Sequence, residues 1–187
     1  MYRHPGGKRH TDFLFSAAAL SPCRILDMGA GDGDTVSYLR SLGYDALGVD
    51  LNPSADRSDT DAEIIEADFL ACPFPDGSFD ALISECAFFV SGDYPAALRE
   101  ARRLLKPGGK LLLADVCFLG KEELLALIYK EGFLVTAIKD ASSDWKEYYL
   151  RSIWQGEDLQ TSCNLPEGKC EYFLTVSERM LQDGFAG

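Results

Sequence analysis

Three aspartates and three glycines alternate within eight residues, Asp27-Met-Gly-Ala-Gly-Asp-Gly-Asp34. The apolar pair Ile25-Leu26 precedes them, and a helical pattern runs from 35 to 42. Glycine admits positive φ and lets the main chain approach a ligand with no Cβ in the way. A strand, a glycine turn and a helix open a doubly wound α/β sheet, whose ligands sit beyond the carboxyl ends of the strands. The dinucleotide fingerprint is G-x-G-x-x-G, with a pyrophosphate on the helix N-terminus. Here the spacing is G-x-G-x-G, and Asp34 stands where the last of those glycines would be. Carboxylates at Asp27, Asp32 and Asp34 repel a diphosphate and suit a nucleoside that carries positive charge. The plain alternative is a tight strand-to-helix turn with no ligand.

S-adenosylmethionine carries an ammonium and a sulfonium, and the charge pattern leans towards it. Gly43 closes the helix, as glycine does just past a C-terminus, and 46–50 reads as a second buried strand ending in Asp50. That aspartate follows the glycine turn by about 20 residues, where an acidic side chain can accept both ribose hydroxyls of an adenosine. It can equally cap a turn starting at Asn52-Pro53.

These residues, with those that follow, resemble a family. ILDMGAGDG, LGVDLNP, EADFLACPFPDGSFDALIS and ALREARRLLKPGGKLLLADV look like the successive motifs of class I S-adenosylmethionine-dependent methyltransferases, in the family's order and over roughly residues 10 to 140. The small ubiquinone-biosynthesis-type branch is the nearest likeness. The resemblance implies S-adenosylmethionine as cofactor and S-adenosylhomocysteine as product. It implies a site built from Asp27, Gly29, Ala30 and Gly31 at the turn, from Asp50 with Leu51, and from Asp68, which would accept the adenine amino group. Phe69 would then offer a backbone N–H to the ring, and Glu85 would bind the cofactor's amino group or serve as a general base. The implied fold is a Rossmann-like α/β sheet of seven mostly parallel strands, order 3-2-1-4-5-7-6, with strand 7 antiparallel. The implied chemistry is direct displacement, in which a nucleophilic N, O, S or C atom of a small acceptor attacks the sulfonium methyl. Relatives fold an N-terminal segment over the cofactor as a lid, which points to residues 1–20.

Two other classes remain open. The same fold hosts proteins that bind the cofactor without transferring its methyl, and burial of Glu85 away from any cavity would favour that reading. An NAD-dependent oxidoreductase is the third, and the spacing at Gly33-Asp34 argues against it.

The rest of the chain must position these groups. Its 187 residues suffice for one domain, 1–187, with a sizeable core. A net charge of −12 repels phosphate backbones, which disfavours bulk nucleic acid as a partner. No apolar run approaches the length of a membrane span, and the basic N-terminus lacks a signal-peptide layout. Six cysteines with no C-x-x-C pair read as buried thiols of a cytoplasmic protein, and no metal site is expected. Thr11 or Asp12 is expected to cap a helix with Phe13, Leu14, Ala17 and Ala18 on one face. Residues 52–61 leave room for about two helical turns. Further strands are expected at 63–68, 79–84, 110–116, 133–138 and 171–177, the last alternating with period 2. Between them lie a helix from Asp93, stopped by Pro107-Gly108-Gly109, and another at 121–130. Asp144 and Glu147 form a capping-box pattern ahead of Trp145, Tyr149 and Ile153.

The aromatics Phe88, Phe89, Trp145, Tyr148, Tyr149 and Trp154 suggest a small, partly apolar acceptor. Cys86 and Cys117, which follow strands, admit a thiophilic one, though core packing is the commoner fate of such residues.

Overall fold

The computed structural model describes residues 4–53, 62–156 and 170–181. Its elements, in chain order, are α1 (Lys8–Ala18), β1 (Arg24–Met28), α2 (Asp34–Ser41), β2 (Asp45–Asp50), β3 (Ile64–Glu66) and β4 (Phe79–Glu85). A short 3₁₀ turn (Phe89–Ser91) leads into α3 (Tyr94–Leu104), β5 (Leu105–Cys117), α4 (Lys121–Lys130), β6 (Phe133–Asp140), α5 (Ser142–Trp154) and β7 (Glu171–Arg179). The seven strands form one sheet in the order β3-β2-β1-β4-β5-β7-β6. Pairings among β1 to β5 are parallel, and β7 runs antiparallel to both β5 and β6. The architecture expected from the resemblance is the one observed.

Strand parity divides the core. Leu26 and Met28 of β1, with Leu82 of β4 and Leu111 and Leu113 of β5, join the cluster that contains Leu98, Ala101 and Leu104 of α3 and Ile128 of α4. Their alternates Ile25, Ala81, Ile83 and Leu112 join Leu14 of α1, Val36 and Leu39 of α2, and Trp145 of α5. Near-continuous apolar strands are what a parallel sheet covered on both faces requires. The same parity sends Asp27, Glu85 and Asp50 to the α1/α2 side, because each is separated by two residues from a member of that face or from its register partner. Asp27 lies opposite Ile83 in β4 and Gly48 in β2. Three adjacent strands therefore deliver three carboxylates to one patch at the carboxyl edge.

Four local expectations are corrected. The first helix begins at Lys8 with Gly7 as its N-cap and no capping side chain. Thr11 is buried, while Ala17 is exposed. The Asp144/Glu147 box does not form: α5 starts at Ser142 with no side-chain cap. Asp144 is instead engaged by His10 at 2.7 Å, and Glu147 by Arg151. Strand β5 starts at Leu105, with a register shift between Phe79 and Ala81 absorbing the Lys106–Gly109 stretch. Finally, β3 is only three residues long. The turns expected within 52–61 lie almost wholly outside the described residues. The helix from Asp93 is as expected, its carboxylate accepting the Ala96 N–H at 2.9 Å.

Candidate functional site: a carboxylate-walled cavity at the head of the sheet

The glycine turn is pinned from below. Gly29 and Ala30 both donate their N–H groups to the Val49 carbonyl, at 2.9 and 3.0 Å. At Gly29, where φ is +85°, a Cβ would come within 2.3 Å of the Ala87 Cβ, so the turn can pack against the β4 end only without a side chain. Gly31 differs, because a Cβ there would meet nothing within 4 Å. It stands on the wall of a cavity of about 220 Å³ that also takes in Asp27, Asp32, Asp34, Thr35 and Glu85. His4 and Cys86 complete the wall beside Glu85.

Asp50 holds the turn in place. Its Oδ2 accepts the Gly31 N–H at 2.8 Å, and its Oδ1 accepts the Asn52 N–H at 2.9 Å. Of the two sequence readings of this residue, the turn-capping contact is the one observed, and it uses two of a carboxylate's about four acceptor sites. Glu85 is tied to two helices: Thr11 of α1 donates to Oε1 at 2.9 Å, and Thr35 of α2 donates to Oε2 at 2.8 Å. Its side chain is 5% exposed, yet it remains on the cavity wall. The placement that would favour a non-catalytic binder is not the one observed.

Asp27 is the group that needs explaining. It is 3% exposed, and no hydrogen bond to its side chain exists among the described residues. Burial, and then the negative charges of Glu85 and Asp50, push its carboxyl well above the ordinary carboxylate range. An orphaned acid of this kind is costly unless something meets it from the cavity. A cation there would both satisfy it and restore its ionised form. The ammonium and sulfonium of S-adenosylmethionine fit such a wall, and a diphosphate does not.

The other residues expected at the site lie further along the same sheet edge. Leu51 is 56% exposed at the end of β2. Asp68 accepts the Leu70 N–H at 2.8 Å, which closes the turn after β3, and it is otherwise exposed. Phe69 is buried and stacks on Phe88, with ring centroids 5.8 Å apart. None of these three lines the cavity itself. Of the aromatics considered for the acceptor, Phe88 is fully buried in the core, Trp145 packs on Tyr172, and Trp154 is 89% exposed. Five cysteines are free thiols, and Cys163 lies outside the described residues. Burial pushes Cys72 up to about 12 and Cys170 up to about 11, which keeps both protonated at neutral pH. Cys86 is the exception to a purely core role, because it lines the cavity with φ at 60°.

Sequence reasoning missed His4, Thr11 and Thr35 at the site, while Cys86 stands on the cavity wall at the strand end where the sequence marked it. Only Thr35 carried a signal, as a hydroxyl directly after the turn at the head of a helix. Thr11 looked like a helix cap, and nothing distinguished His4 from the other basic residues of the N-terminus.

The residues 26–113 match the family model described as a methyltransferase domain. A demethylmenaquinone methyltransferase of Thermus thermophilus is 38% identical over 105 residues, covering 51% of this chain and 48% of that protein. A ubiquinone/menaquinone biosynthesis C-methyltransferase of Shewanella frigidimarina is 33% identical over 180 residues, covering 84% of this chain and 69% of its own length. The chain thus spans about half of the first relative and about two thirds of the second. Among solved structures, geranyl diphosphate C-methyltransferase of Streptomyces coelicolor, determined with S-adenosyl-L-homocysteine, superposes with a TM-score of 0.70 at 18% identity, over 93% of this chain and 78% of that one. That likeness speaks for the fold; the extended match to the Shewanella enzyme speaks for descent. The chain belongs to the class I S-adenosylmethionine-dependent methyltransferase family, in its ubiquinone-biosynthesis-type branch.

Proposed function

We propose that this protein transfers a methyl group from S-adenosylmethionine to a small-molecule acceptor by direct displacement. The observation that carries the reading is Asp27, a buried acid without a hydrogen-bond partner, set between Glu85 and Asp50 on the wall of a cavity. When bound, the cofactor supplies an electrophilic methyl on a positively charged sulfur. The chain's own residues bind and orient it. Asp27 and Glu85 face the ammonium end, and Gly29, Ala30 and Gly31 offer a side-chain-free approach. Asp50 turns its remaining lone pairs to the ribose beside Leu51. Asp68 and the Phe69 N–H take the adenine at the ends of β2 and β3. Rate enhancement then comes from proximity, orientation and exclusion of water.

Residues 4–18 form the cover. Helix α1 is tied to the cavity-lining Glu85 through Thr11, its preceding segment lines the cavity through His4, and His10 anchors the helix to Asp144 of α5. We read the chain as a single domain working in the cytoplasm, with no bulk nucleic acid as partner. Among the described residues no helix is long and apolar enough to cross a membrane.

The names of the two relatives point to a reduced aromatic ring as the acceptor to try first. Purified protein incubated with methyl-labelled S-adenosylmethionine and a short-chain demethylmenaquinol should transfer label to the ring. Cofactor binding with no transfer to this or any other small acceptor would leave a binder and defeat the enzymatic reading.

A further inference from the structure

At the edge of the sheet opposite the cavity, two arginines meet without a carboxylate between them. Arg102 stands in the last turn of α3, and Arg179 ends β7, paired with Phe133 at the start of β6. Arg102 lies over Gly132, just before that strand, where a Cβ would come within 2.4 Å of its Nε. The Gly132 carbonyl accepts the Met180 N–H at 3.0 Å, so backbone pairing brings the two side chains to one spot. Neighbouring cations are matched: Arg99 to Glu131, Arg103 to Glu100 and Asp76, Lys106 to Asp80, and Lys110 to Glu178. Among the described residues Arg102 and Arg179 have no such pair, and the Nε of each is buried without a hydrogen-bond partner. Arg179 donates from Nη1 to the Leu105 carbonyl. Burial, and then the charge of Arg102, hold its pKa below the ordinary arginine value against the smaller effect of Asp76. In a chain with 30 acidic side chains and 18 Lys and Arg, an unmatched pair of cations needs a reason.

A second observation lies beside the first. Thr175 and Ser177 precede Arg179 by four and two residues in β7, so their side chains share its face of the sheet. They are 2% and 0% exposed, and among the described residues neither hydroxyl has a partner. Buried polar groups are normally satisfied, and here hydroxyls and guanidinium groups go unmatched along one line. The C-terminal dipole of α3 favours a cation at this place, yet neither Nε finds an acceptor there. We propose that Arg102 and Arg179 form a binding site for an oxyanion of the phosphate class, separate from the cofactor cavity. Planar guanidinium forks match phosphate oxygens, and a dianion between them cancels the repulsion of two like charges. Both residues are only half-buried, which leaves the pair open to an ion from solvent. The ligand is the free ion or the phosphate of a monoester, two sources with one recognition chemistry. The site goes beyond the methyltransferase reading and does not depend on it.

Full-length protein purified without phosphate is titrated with sodium phosphate, with glycerol 3-phosphate and, as the ionic control, with sodium chloride, by calorimetry and thermal melting. Phosphate should bind at one site per chain with a Kd of about 1 mM or tighter. It should raise the melting temperature more than chloride does at equal ionic strength. Glycerol 3-phosphate binding at least as tightly assigns the monoester, and binding of inorganic phosphate alone assigns the free ion. Arg102→Gln and Arg179→Gln should each weaken phosphate binding at least about tenfold, with S-adenosylmethionine affinity kept within about threefold. Arg102→Lys, which keeps the charge and loses the fork, should also bind phosphate more weakly. In phosphate-free buffer Arg102→Gln should melt at or above wild type, because one of two like charges is gone. A lower melting temperature there would make the arginine structural and overturn the proposal. So would phosphate acting no more strongly than chloride, or acting equally on wild type and the folded variants. Displacement of S-adenosylmethionine by phosphate would put the ion in the cavity and overturn it as well.

Discussion

Asp50 holds the turn and, in the proposed site, the ribose as well, so its variants should show both effects. Asp50→Ala strips the acceptor from the Gly31 and Asn52 N–H groups. Each lost hydrogen bond to a charged group costs roughly 1.5–3 kcal/mol when buried and less at a partly exposed site such as this. The melting temperature should therefore fall, and cofactor affinity should drop by about tenfold or more, ~1.4 kcal/mol per decade. A group that only caps the turn would lower the melting temperature alone. Asp27→Asn should behave in the opposite sense for stability. The folded-state pKa of Asp27 is raised, so its contribution is complete below the ordinary carboxylate range and is lost as pH rises. An amide cannot ionise, and the variant should melt at or above wild type, with a gain that grows with pH, while binding S-adenosylmethionine more weakly. Thermal melts at several pH values with a parallel titration decide both. At this scale the sequence disclosed much: the turn, Asp27 and Asp50 were legible from spacing and charge. The Thr11–Glu85–Thr35 contacts were not, because they join residues 74 and 50 positions apart.

Helix α1 depends on one buried imidazole. His10 donates from Nε2 to Asp144 and stacks on Tyr172, with ring centroids 5.9 Å apart. Burial holds its pKa below the ordinary histidine value, while the hydrogen bond to His10 holds Asp144 low. A depressed histidine contributes stability that is present above pH ~6.5 and lost as pH falls below it. His10→Ala should cost about 1–3 kcal/mol and expose 4–18 to protease, with S-adenosylmethionine restoring protection. Unchanged proteolysis would separate the helix from the cover assigned to it. This contact also explains the misread boundaries. Asp144 matched a capping box in sequence, but its partner lies 134 residues away, and tertiary pairing outweighs a cap worth about 1 kcal/mol. On the opposite face of the sheet, Asp115 of β5 accepts the Phe89 and Val116 N–H groups and thereby fixes the 3₁₀ turn. Burial raises it to about 7 from 3.8. Its stabilising contribution is complete below pH 3.8 and is lost as pH rises through about 7. Wild-type stability should fall between pH 5.5 and 8 by at most ~1.4 kcal/mol per unit from this group. Asp115→Asn should flatten that slope while lowering stability at the acid end, where one acceptor is lost.

For the whole molecule, the strands themselves were legible as successive apolar runs, whereas their order came with the family likeness. Antiparallel β7 came with the family likeness, and its period-2 alternation marked only that it was a strand. The acceptor was not legible for a physical reason. Adjacent aromatics at Phe88 and Phe89, or a Trp at each end of 145–154, look alike in sequence whether they face a cavity or a core. In the structure Phe88 and Trp145 are core, and Trp154 faces solvent. The net charge of −12 has its functional share in the cavity, where Asp27, Asp32, Asp34 and Glu85 gather at one end of the sheet. The central claim is that this gathering selects a cationic nucleoside. Calorimetric titration of the purified protein with S-adenosylmethionine, S-adenosylhomocysteine and NAD tests it most directly. Both sulfur nucleosides should bind at one site per chain, and NAD should give no heat of binding. Binding of NAD with neither sulfur nucleoside bound would contradict the account.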